Sequence, residues 1–102
     1  MKQKTAVTLL SALAQDTRLT IFRELVKAHN QDDPSKAGLA VSALNEKLNV
    51  SPPTLSFHLK EMTNAGLITP NRQGRSIIYT ADVTAMQGLI EYLLEDCCGG
   101  TC

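Results

Sequence analysis

Three thiols stand within six residues at Cys97-Cys98-Gly99-Gly100-Thr101-Cys102. Thiolates are soft ligands that select soft or borderline ions, and Gly99-Gly100 gives the backbone freedom to bring Cys102 back towards the other two sulfurs. Consecutive Cα atoms lie about 3.8 Å apart, short of the roughly 4.4–6.8 Å that a disulfide spans, so Cys97 and Cys98 suit shared ligation better than a bridge to one another. A bridge from Cys102 to either of them stays open, which would make the tail a thiol redox or persulfide sensor. A zinc or cadmium site and a fortuitous cluster stay open too.

A second constellation occupies Ser51-Pro52-Pro53-Thr54-Leu55-Ser56-Phe57-His58-Leu59-Lys60. Leu55, Leu59 and Met62 recur at i, i+4 and i+7, the spacing of one helix face. Pro53, Thr54, Ser56, Phe57 and Lys60 remain for the opposite face. Their chemistry suits a DNA groove: hydroxyls bond phosphates or bases, an aromatic ring meets a thymine methyl, and a lysine donates to phosphate or guanine. His58 lies between the two faces and is carried with these candidates, while His29 reads as a helix-end residue. Arg72 and Arg75 flank a glycine at Arg72-Gln73-Gly74-Arg75 and are placed to straddle a phosphate ridge or enter a minor groove.

The elements that must position these residues follow from periodicity and punctuation. Ala6, Leu9, Leu10 and Leu13 trace a first helix over residues 5–14. A second, over residues 17–28, is expected to be capped by Asp16 and to place Leu19, Phe22, Leu25 and Val26 on one face. Residues 31–38 read as a loop. A short helix with Val41, Leu44 and Leu48 inward leads through Asn49-Val50 to Ser51, the expected cap of a helix that opens on Pro52 and stops at Gly66. Residues 67–71 and 76–80 read as strands of a hairpin. The last helix starts near Asp82 and carries Ala85, Met86, Leu89, Ile90, Leu93 and Leu94, a broad apolar face for the end of so small a chain.

At 102 residues the chain reads as a single domain over 1–102, with the cysteine tail at 97–102 as an appendage. Net charge is zero, but it is a cancellation: residues 1–30 carry +3 and residues 51–81 +2, while residues 82–102 carry −4. A basic hairpin region and an acidic tail suit a molecule that meets phosphate on one surface only. Met1-Lys2-Gln3-Lys4 is basic, but a mixed polar stretch follows and there is no signal-like or membrane-spanning apolar run, so a cytoplasmic location and no membrane partner are expected. No phosphate loop and no acid–base pair at useful spacing is present, and an enzyme is not expected.

Two helices joined by a tight turn and followed at once by a basic hairpin are the parts of a winged helix-turn-helix. Asp16-Thr17-Arg18-Leu19-Thr20-Ile21, the Ser51–Leu59 segment, Ala65-Gly66-Leu67-Ile68 and Arg72-Gln73-Gly74-Arg75-Ser76-Ile77-Ile78-Tyr79 together resemble the ArsR/SmtB family of metal-responsive repressors over nearly the whole chain. The resemblance implies a mainly α fold of about five helices with a two-stranded wing. It also implies a homodimer formed through the first and last helices, and double-stranded operator DNA as partner. The family's sensing sites have moved around this scaffold. A cysteine pair before the recognition helix would fall near Val41 to Leu44, where there is none. The zinc pattern of the last helix would read Asp82, Thr84, Glu95 and Cys98, without either of its histidines. What remains is similar to arsenic-responsive members, implying trivalent arsenic as effector on Cys97, Cys98 and Cys102. Antimonite would behave alike, and a monomethyl arsenical would need two of the thiols. The implied function is repression of a metalloid-resistance operon, relieved by the metalloid.

Overall fold

A computed structural model describes residues 1–29 and 37–97. The chain forms α1 (Gln3–Leu13), α2 (Asp16–Lys27), β1 (Leu39–Ala40), α3 (Val41–Leu48), α4 (Pro52–Ala65), β2 (Ile68–Gln73), β3 (Ser76–Ala81) and α5 (Val83–Leu93). Five helices are therefore joined to an antiparallel sheet of order β1-β3-β2. Most of the loop expected over residues 31–38 lies outside the described residues. Among the described residues, no helix is long and apolar enough to cross a membrane.

The wing has one strand more than its hairpin. Leu39 pairs with Tyr79 and Ala40 with Ile78, so β3 is bonded on both sides. A two-residue strand has no alternation to read, which is why the sequence shows only the hairpin. Gly38 leads into β1 with φ +93°, and a Cβ there would sit 2.5 Å from the carbonyl oxygen of Tyr79. Only glycine lets the two backbones approach this closely.

The core gathers one stripe from each helix. Ala6, Leu9 and Ala12 of α1 pack with Ile21, Phe22 and Leu25 of α2, Leu44 of α3, Leu55, Leu59 and Met62 of α4, and Leu89 of α5. Leu67, Ile68 and Ala81 close it at the sheet. Truncating a wholly enclosed side chain such as Leu59 to alanine costs about 2–5 kcal/mol in such a setting. In α2 the buried face is partly the expected one: Phe22 and Leu25 are enclosed, but Ile21 joins them in place of Leu19 and Val26, which are exposed. The apolar residues of α2 outnumber one face, and packing against α1, α3, α4 and β3 encloses Ile21, Phe22 and Leu25.

The outer side of α1 and the end of α5 carry the opposite pattern. Val7, Leu10, Ile90, Leu93 and Leu94 are large apolar side chains left in solvent, and only Leu89 of α5 is buried. Helices α1 and α5 touch one another. An exposed apolar group of this size marks an association surface more often than a solvated one.

Candidate nucleic-acid interface

Helix α4 begins on Ser51, whose carbonyl accepts from the Leu55 amide at 3.0 Å. Its side chain does not cap the helix; the hydroxyl donates to Thr54 Oγ1 at 2.7 Å instead. Pro52 and Pro53 remove two of the four unpaired amides of the first turn, one of them at the second helical position that a capping oxygen can serve, so the turn needs less from Ser51 than its position suggests. The cap of α2 also moves by one residue: Gln15 occupies it and accepts from the Arg18 amide at 2.9 Å, leaving Asp16 in the first turn. Helix α5 starts at Asp82 as expected, and the Asp82 carboxylate caps it by accepting from the Ala85 amide at 2.9 Å. Gly66, at φ +88°, ends α4 and turns the chain into the wing.

The two faces of α4 separate cleanly. Leu55, Leu59 and Met62 are buried, and Pro53, Thr54, Ser56, Phe57 and Lys60 are exposed together on the other side. Phe57, at 53 % exposure, is a large aromatic surface on an otherwise polar face. His58 departs from the set: it is 8 % exposed and turned towards α2, where its Nδ1 accepts from Arg18 Nε at 3.0 Å. Burial first, and the neighbouring guanidinium second, hold its pKa below the ordinary histidine value. The neutral ring is the form that accepts this bond. His58 therefore belongs to the support of the helix and not to its outer face.

Across a cleft of about 340 Å³ lined by Ser56, Lys60, Asn64, Pro70, Ile77 and Tyr79, α4 faces the wing. Arg72 lies in β2 and Arg75 in the turn, both exposed. Gly74 takes φ +63° there, and its carbonyl accepts a long bond of 3.5 Å from Arg72 Nε. Exposed hydroxyls, an aromatic ring and a lysine on a helix, with two arginines on an adjoining ribbon, offer base-edge and phosphate contacts side by side.

At the other end, Cys97 is exposed just beyond α5, its amide donating to the Leu94 carbonyl at 3.0 Å. Asp96, at φ +66°, turns the chain off the helix axis immediately before it. Cys98 and Cys102 lie outside the described residues.

A helix-turn-helix domain description matches residues 13–71, from the end of α1 through the recognition helix to the first wing strand. The transcriptional activator HlyU of Vibrio cholerae serotype O1 is 31% identical over 88 residues, covering 86% of this chain and 73% of that protein. The chain belongs to the ArsR/SmtB family. Among solved structures, an ArsR-like transcriptional regulator from Rhodococcus sp. RHA1 superposes with a TM-score of 0.73 at 26% identity, covering 88% of this chain and 76% of that one. Another, described as "Possible transcriptional regulator for arsenical resistance", gives 0.64 at 25% identity, covering 87% and 85%. This ArsR/SmtB-family member is thus a DNA-binding transcription regulator.

One residue with a role in this interface escaped the sequence reading. Arg18 stands inside a family-like segment but carries no spacing signal towards α4, because its partner is forty positions away.

Proposed function

We propose that the protein is a dimeric repressor whose recognition helices enter successive major grooves of its operator, and that trivalent arsenic bound by Cys97, Cys98 and Cys102 releases it. The observation that carries the DNA half is the shared exposure of Thr54, Ser56, Phe57 and Lys60 beside Arg72 and Arg75. Two such heads on a two-fold axis read half-sites about 34–36 Å apart. The exposed apolar side chains of α1 and α5 supply the surface on which two copies meet.

The metalloid half rests on the three clustered thiols, on the exposure of Cys97 where the chain leaves α5, and on the likeness to a structure described for arsenical resistance. Arsenous acid exchanges each hydroxyl for a thiolate. Three As–S bonds form, three waters leave with the thiol protons, and no electron is transferred. Cys97 follows α5 and lies outside the α4 and wing residues, so release is a coupling between separate sites, typically about 1–3 kcal/mol and reciprocal.

Fluorescence anisotropy on a duplex from the promoter of the protein's own gene, titrated with arsenite under reducing conditions, tests both halves. Release in the wild type but not in a variant lacking all three cysteines is the expected result. Tight binding that arsenite leaves untouched would keep the repressor and remove the arsenic sensor, pointing to redox or another metal. Absence of preference for the promoter duplex over scrambled DNA would remove the repressor itself.

A further inference from the structure

Arg18 reaches two consecutive residues of α4, one buried and one exposed. Its Nε donates to Nδ1 of the buried His58 at 3.0 Å, and its guanidinium carbon lies 5.8 Å from the centroid of the exposed Phe57 ring. The two rings are themselves 5.9 Å apart and inclined at 56°. An exposed phenylalanine on a helix ordinarily exchanges between rotamers. A cation held near its ring favours one of them, provided the cation is itself fixed. Here the fixing group is His58, whose single acceptor nitrogen sits on the inner side of the same helix.

The surroundings favour a hold over a solvent-facing role. Arg18 is half-buried and lines a cleft of about 380 Å³ with Thr8 and Ser11 of α1 and Glu61 and Asn64 of α4. It stands in the first turn of α2, whose amide it lends to Gln15, so the backbone that carries it is anchored at its start. The guanidinium is a planar fork that serves one partner along an N–H and another through its face, which an ammonium does not do.

We propose that Arg18 is a positioning residue for operator reading: by gripping His58 and Phe57 together it fixes the Phe57 ring on the groove face of α4. The proposal rests on the operator-binding reading above. It assigns Arg18 no direct contact with DNA and makes His58 part of the same device.

A double-mutant cycle on promoter and scrambled duplexes of equal length tests it, with thermal melting followed in parallel. Arg18→Met should lower the ratio of promoter to scrambled affinity by about tenfold, the scale of one spoiled base contact. In a Phe57→Ala background the same change should add less than about twofold, because no ring remains to be placed. His58→Asn, which keeps an acceptor near the position of Nδ1, should preserve most of the ratio. His58→Leu should lose it as Arg18→Met does. Additive losses in the double variant overturn the proposal, as does equal behaviour of the two His58 variants. A salt dependence that falls by one phosphate while the ratio stays unchanged would make Arg18 a backbone contact instead. A wild type without promoter preference removes the repressor reading and this proposal with it, whereas failure of the cycle in a wild type that does bind removes this proposal alone.

Discussion

The helix-and-wing end of the molecule and its α5 end solve opposite problems. At the first, polar and basic side chains stand in solvent on a helix whose apolar stripe is fully enclosed. At the second, Ile90, Leu93 and Leu94 stand in solvent while acidic residues follow them. A surface kept wet for a charged, hydrated partner looks like the first, and a surface awaiting an apolar partner looks like the second. A small domain can divide its labour in this way without a second core, because each end uses only the outer face of a helix that the common core already holds.

The sharpest way to break this division is at the thiols. Cys97→Ser should abolish arsenite-driven release altogether while leaving operator affinity within about twofold, read by anisotropy; loss of DNA binding would merge the two ends into one site. Next comes Leu93→Glu. Leu93 is 56 % exposed, so the change should spare the fold of each copy yet split the dimer in sedimentation. Losing the second half-site should cost at least about a hundredfold in operator affinity. At the wet end, Lys60→Ala should weaken binding by about fivefold on any sequence and reduce the salt slope by about one.

The smallest effect sharpens the boundary between face and support. The pKa of His58 is lowered by burial and then by Arg18, so the folded protein favours the neutral ring. As the pH falls below about 6.5 the unfolded chain takes up this proton first, and stability therefore declines with falling pH and is regained as pH rises through that window. The melting temperature should accordingly drop from pH 7 towards pH 5 more in the wild type than in His58→Asn.

Most of the reading head was legible because its signals are local. Pro52 at a helix start, the i, i+4, i+7 leucines and methionine, and Gly66 and Gly74 at turns are all written within a few residues of their effect. What was not legible depends on distant partners. Leu19 and Ile21 compete for the inside of α2, and the sequence of that helix alone does not say which face the neighbouring helices and β3 will cover. His58 falls at i+3 from Leu55, on the edge of the buried stripe, but its partner Arg18 lies forty residues away and could not be read from the helix alone. The two-residue β1 exists only because Tyr79 and Ile78 offer it an edge.

That short strand sets a mechanical property. Ala40 pairs with Ile78 in the wing and is also the residue on which α3 begins. Sheet and helices are thus joined through this backbone pairing as well as through the core contacts of Leu67, Ile68 and Ala81, which ties the span from α4 to the hairpin to one shared core. In the proposed dimeric repressor, a change in the angle between the two copies would therefore carry helix and hairpin off the DNA together.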